Sequence, residues 1–91
     1  MIKAYQIRIT GRVTGVGFRY SALQQAALFP GLGGYVRNVG YREVEAVVQG
    51  KSEVVGPMLD WLKIGPPGAR VDNIVITAIP VDSARTGFIV R

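Results

Sequence analysis

The sequence predicts an α+β domain in which an antiparallel sheet carries two helices on one face. Three observations lead there. Alternating apolar and polar residues run through Ala4–Thr10 and again through Val44–Gln49, the period of a half-buried strand. Two segments, beginning at Phe18 and Glu53, instead place apolar residues at helical spacing. Breakers separate the segments, the firmest being Phe29-Pro30-Gly31 and Gly65-Pro66-Pro67-Gly68.

The first strand has Tyr5, Ile7 and Ile9 on one face and Gln6, Arg8 and Thr10 on the other. A glycine-rich turn follows. The first helix then aligns Phe18, Ala22 and Ala26, with Leu23 and Ala27 beside them. It should stop near Pro30, which restricts the residue before it and cannot continue the ladder. Tyr35–Asn38 reads as a short second strand, with a hairpin turn around Gly40 leading into the third. A second helix is expected over Glu53–Lys63, with Ser52 as N-cap. Its apolar face is Val54, Val55, Met58, Leu59 and Leu62. Pro57 is tolerable only near a helix start, so the helix should be regular only beyond it. Val71–Ile79 is a β-branched strand, Pro80–Thr86 a loop, and Phe88–Arg91 a short fifth strand. The order β-α-β-β-α-β is the ferredoxin-like plan. No repeat or linker interrupts residues 1–91, which read as a single domain.

Composition narrows the chemistry. With no cysteine and no histidine, thiolate nucleophiles, disulfides and the commonest general base and metal ligand are excluded. A net charge of +5 favours an anionic partner. The basic residues are scattered, which argues against a nucleic-acid tail. No apolar run approaches the ~20 residues of a membrane span, and the N-terminus lacks a signal-peptide core. A cytoplasmic protein with no membrane association is expected.

The turn Gly11-Arg12-Val13-Thr14-Gly15-Val16-Gly17-Phe18-Arg19-Tyr20 is where the chain concentrates its chemistry. Gly15 and Gly17 can adopt positive φ without a Cβ penalty. Successive amides in such a turn can form an anion nest. The first N–H groups of the following helix add positive potential, and Arg19 offers a planar fork for phosphate oxygens. The bland alternative is a tight strand-to-helix turn with two surface arginines. In the ferredoxin-like plan the first two strands run the same way. Asn38, ending the second, should therefore sit at the same sheet edge as the turn, about two strand spacings or ~10 Å away. Asn38 would otherwise be a residue shaping the hairpin.

Gly11-Arg12-Val13-Thr14-Gly15-Val16-Gly17-Phe18-Arg19 resembles the first signature of the acylphosphatases, G-x-V-Q-G-V-x-F-R. Gly34-Tyr35-Val36-Arg37-Asn38, with Val44-Glu45-Ala46 and Gly50, resembles their second. Gly65–Val71 is similar to the run before their fourth strand, and Phe88 and Val90 fit their closing strand. The resemblance spans nearly the whole chain. It implies a ferredoxin-like hydrolase of acyl phosphates that needs no cofactor and no metal. It assigns phosphoryl binding to Arg19, positioning of the attacking water to Asn38, and the phosphate cradle to Thr14, Gly15, Val16, Gly17, Phe18 and Arg19. The implied partners are a small acyl phosphate and inorganic phosphate, not nucleic acid, and a monomer is expected. Two departures stand out. Thr14 replaces the usual Gln, so bonds that brace the loop should differ. Arg42 occupies the usual hairpin Gly position, so the turn type must change.

The residue inventory suits this chemistry. A carboxylate leaving group, whose conjugate acid has a pKa near ~4, needs no general acid. Phosphoryl transfer is largely dissociative, so positioning and charge stabilisation remain. The six acids, Glu43, Glu45, Glu53, Asp60, Asp72 and Asp82, read as solvated charges rather than a metal cluster. Two rivals use the same fold. An RNA-recognition module needs stacking aromatics on the third strand, and Glu43–Gly50 has none. A non-catalytic anion-binding module would keep the nest without turnover.

Overall fold

The computed structural model describes residues 1–91. Along the chain come β1 (Ile2–Arg12), α1 (Phe18–Ala26), β2 (Gly33–Gly40), β3 (Glu43–Lys51), α2 (Ser52–Ile64), β4 (Arg70–Ile79) and β5 (Phe88–Val90). They build one sheet of order β4-β1-β3-β2-β5. β3 is antiparallel to both β1 and β2, so those two strands share a direction with β3 between them. β4 is antiparallel to β1. The sequence predicts an antiparallel sheet; the four longer strands pair that way, but β5 lies parallel to β2, so the sheet is mixed. The segment 80–87 crosses from one edge of the sheet to the other. The Gln49 side chain ties it down, donating to the Asp82 carbonyl at 2.8 Å and accepting from the Asp82 amide at 2.9 Å.

Period-two patterning puts Ile7, Ile9, Val36, Val44, Ala46 and Val48 on the face that the helices cover, and all are fully buried. Phe18, Ala22 and Ala26 of α1 and Val55, Met58 and Leu62 of α2 complete that core. Phe18 meets Trp61 with ring centroids 5.6 Å apart, tying α1 to α2. α1 ends at Ala26, before Pro30. Its last turn tightens through i→i−3 bonds from Leu28 to Gln25 and from Phe29 to Ala26.

α2 departs from the sequence expectation at its start. The N-cap is Lys51, in an extended conformation and without a side-chain cap, and Ser52 is already helical. The helix is continuous through Pro57. The missing donor orphans only the carbonyl of Glu53, in the exposed first turn. Gly56, having no Cβ, removes part of the clash that Pro imposes on its predecessor.

The open face of the sheet corrects a further expectation. Glu45 is not solvated; it is only 2% exposed. It accepts from Arg37 Nε at 2.7 Å, Tyr35 Oη at 3.0 Å and Gln6 Nε2 at 3.0 Å, and Arg8 Nη2 lies 3.3 Å away. The stems of those long side chains bury the carboxylate while their charges satisfy it. Burial alone would raise the Glu45 pKa. The hydrogen bonds of Arg37 and Tyr35 and the charges of Arg37 and Arg8 outweigh it, holding the carboxyl below its ordinary value. A lowered native pKa means stability that is full above the unfolded-state value and lost as pH falls through the native one. Melting curves from about pH 6 down to about pH 3 should therefore lose stability below the ordinary carboxyl range. Glu45→Gln should flatten that acid slope while lowering stability at neutral pH. An unchanged slope in Glu45→Gln would assign it to other carboxylates.

Candidate active site

β1 and α1 are joined by residues 13–17, and both ends of this turn are pinned. Val13 is 1% exposed and Phe18 2%, so the turn is anchored in the core while its middle faces solvent. Gly15 and Gly17 both have φ of 73°, in the left-handed region. A Cβ at either glycine would meet nothing within 4 Å; backbone conformation, not space, requires glycine there. The amides of Thr14, Gly15, Val16 and Gly17 donate to no protein acceptor, and the first helical bond of α1 runs from Ser21 to Gly17. Gly17 is the N-cap, and the first turn of α1 has no acidic residue. Unpaired amides and a helix N-terminus whose first turn carries no Asp or Glu together make a site of positive potential.

Arg19 projects from the first turn of α1. Its Nη1 donates to the main-chain carbonyl of Arg91 at 2.9 Å. One bond of five possible donors restrains the guanidinium and leaves the rest of the fork available. The parallel pairing of β5 with β2 brings that carbonyl here, since Val36 pairs with Val90 and the Arg91 amide donates to Val36 at 2.9 Å.

Asn38 stands at the exposed end of β2, on the face of the buried Val36. Its neighbour Arg37 points the other way and is held by Glu45. That bond fixes the rotation of β2 just before Asn38. Gly15, Gly17, Phe18, Arg19 and Asn38 all line one concavity of about 320 Å³. Val13, Tyr20, Leu23 and Val90 complete its wall. The site residues expected from the turn and from strand direction thus come together, with Thr14 and Val16 in the same turn.

The braces differ from the expectation in detail. The β2–β3 turn is at Tyr41-Arg42, not around Gly40. No non-glycine residue has positive φ, and Gly40 is not left-handed. A primed hairpin turn is therefore excluded. The ladder instead shifts register between Asn38 and Gly40, and such a bulge absorbs the twist that an unprimed turn cannot supply. The hairpin tip is clamped to the end of β1. The Gly11 amide donates to the Arg42 carbonyl at 3.0 Å, and Arg42 Nε donates to the Gly11 carbonyl at 3.4 Å. Thr14 Oγ1 donates to the Tyr41 carbonyl at 2.6 Å. The cradle turn is thus tied through Thr14 to the hairpin that carries Asn38. Neither this brace nor the Arg91 carbonyl was legible beforehand. The first needs the hairpin geometry, and the second needs the parallel pairing of β5.

No three of His, Cys, Asp and Glu gather in a group able to hold a metal ion, and the site consists of amides, one guanidinium and one carboxamide. The Acylphosphatase family model matches residues 5–90. An acylphosphatase from Paraburkholderia xenovorans is 44% identical over 73 residues, covering 80% of this chain and 74% of the relative. The structure of an acylphosphatase from Coxiella burnetii superimposes with a TM-score of 0.90 at 32% identity, over 99% of this chain and 93% of that one. The acylphosphatase of Bacillus subtilis gives 0.88 at 30% identity, covering 100% and 99%.

Proposed function

Because the chain belongs to the acylphosphatase family, we propose that it hydrolyses acyl phosphates to a carboxylate and inorganic phosphate by direct attack of water. One observation supports the mechanism: Gly15 and Gly17 of the turn with unpaired amides, Arg19 and Asn38 line one concavity whose wall contains no Asp or Glu. The amides from Thr14 to Arg19 hold the phosphoryl oxygens, and the Arg19 fork adds charge where it accumulates in the transition state. Asn38 orients the water through its amide without altering the charge of the site. The water oxygen bonds to phosphorus as the bridging P–O bond breaks. The electron pair of that bond leaves with the carboxylate, and the water proton passes to the product phosphate. Such a leaving group needs no protonation, and the transition state requires little prior deprotonation of water.

This reading makes the enzyme metal-independent and selective for activated phosphates. The proposal includes a cytoplasmic location, a monomeric state and a small diffusible substrate. No helix is long and apolar enough to cross a membrane. Benzoyl phosphate should be turned over at an undiminished rate in excess EDTA, while glycerol phosphate should be nearly inert, because an alkoxide wants a general acid. Loss of activity with chelator, or similar rates on the two substrates, would refute it. A folded protein that binds phosphate but turns over no acyl phosphate would instead support the non-catalytic anion-binding reading.

A further inference from the structure

We propose that Arg37 is a positioning residue for the reaction: pinned to the buried Glu45 on the open face of the sheet, it holds the end of β2 so that Asn38 faces the cradle. The inference rests on the acyl-phosphate reading above and on the water-positioning role given there to Asn38. Neighbouring side chains of a strand point to opposite faces, so a rotation of β2 at Arg37 carries Asn38 with it. β5 pairs with β2 only from Gly34 to Val36, and the Arg91 amide makes the last bond on that side, to the Val36 carbonyl. From Arg37 onward β2 has β3 as its only strand neighbour. Val36 is the last fully buried side chain of β2; Arg37 and Asn38 are exposed. Asn38 pairs with Val44, and the ladder slips before Gly40.

Arg37 and Glu45 are direct cross-strand partners, and Arg37 Nε donates to Glu45 Oε1 at 2.7 Å. Glu45 is itself immobilised. Tyr35 Oη donates to the same oxygen, Gln6 Nε2 donates to Oε2, and Arg8 Nη2 lies beside Oε2. An ion pair between two exposed chains would order little. A buried acceptor held from β1 and β2 instead gives Arg37 a stationary partner. Neither Arg37 nor Glu45 lines the concavity of Arg19 and Asn38, so Arg37 acts on the reaction through the backbone it shares with Asn38. The hairpin tip is clamped separately at Tyr41 and Arg42. Loss of the anchor should therefore misdirect Asn38 without unfolding the turn.

The test is a double-mutant cycle on benzoyl phosphate. Arg37→Met keeps a stem over Glu45 and removes the anchoring donor. Gln6, Arg8 and Tyr35 still face the carboxylate, so the protein should fold. kcat should fall about tenfold, part of what full loss of a positioning group costs. Inhibition by inorganic phosphate should stay unchanged, because the cradle and Arg19 are untouched. Arg37→Lys, which keeps a cation, should recover part of the loss. In an Asn38→Ala background, Arg37→Met should cost nothing further. Arg8→Met removes the same charge from beside the same carboxylate, but on β1, and should leave kcat as in wild type. Backbone order parameters in Arg37→Met should drop at Asn38 and Val39 and hold in residues 14–19. Full kcat in a folded Arg37→Met protein overturns the proposal, as does full kcat in Asn38→Ala alone. So does a loss that persists undiminished in the Asn38→Ala background, or an equal loss in Arg8→Met, which would attribute the effect to charge. If Arg37→Met folds poorly, Arg37→Gln takes its place in the cycle with the same expected outcomes. Failure of wild type to hydrolyse benzoyl phosphate would strike the acyl-phosphate reading instead, and the order parameters would still decide whether Arg37 anchors Asn38.

Discussion

Arg19→Ala should lower kcat/KM on benzoyl phosphate by about 10³-fold, the scale for loss of a charged donor to a transferring phosphoryl group. The proposed Arg19 contacts exist in ground and transition states alike, so KM should rise and kcat fall together. Inhibition by inorganic phosphate should weaken in parallel. Arg19→Lys should rescue little, because a point charge cannot reproduce a bidentate fork. The fold should survive, since Arg19 contributes one hydrogen bond to the Arg91 carbonyl and no core packing. A well-folded Arg19→Ala enzyme with near-native kcat/KM would remove Arg19 from the mechanism.

Asn38→Ala should act differently. Its proposed role concerns only the water, so the interaction is expressed mainly in the transition state. kcat should fall by on the order of 10²-fold while phosphate inhibition hardly changes. Asn38 adjoins the bulge at the start of the β2–β3 turn, so a melting curve must accompany the kinetics. The clamp between Gly11 and Arg42 and the Thr14–Tyr41 bond hold the hairpin independently of the Asn38 side chain, and stability should be nearly unaffected. A folded variant with full kcat would return Asn38 to the role of a turn residue.

The parts of this account legible in the sequence are those governed by local periodicity. Ile7 and Ile9, then Val44, Ala46 and Val48, declare their faces by alternation, and all lie in the core. Strand direction followed from element order, and with it the placement of Asn38 near the glycine-rich turn. Three features were hidden, each set by long-range geometry. β5 is only Phe88–Val90, too short for its pattern to reveal a parallel partner. Glu45 alternates like any solvent-facing residue, and its burial depends on Gln6, Arg8, Tyr35 and Arg37 converging from two other strands. The hairpin expected at Gly40 turns at Tyr41-Arg42 because a register shift supplies the twist that positive φ at glycine usually does. The N-cap at Lys51 rather than Ser52 is a smaller miss: β3 pairs through Lys51 and runs straight into α2, leaving no separate capping residue.

The central claim is that the Thr14–Arg19 turn is a phosphate cradle. A crystal structure with inorganic phosphate bound tests it most directly. The anion should lie inside the turn, with its oxygens about 2.7–3.2 Å from several of those amides and from the Arg19 guanidinium, and Asn38 facing it across the concavity. Phosphate bound elsewhere, with the turn amides left to solvent, would contradict it.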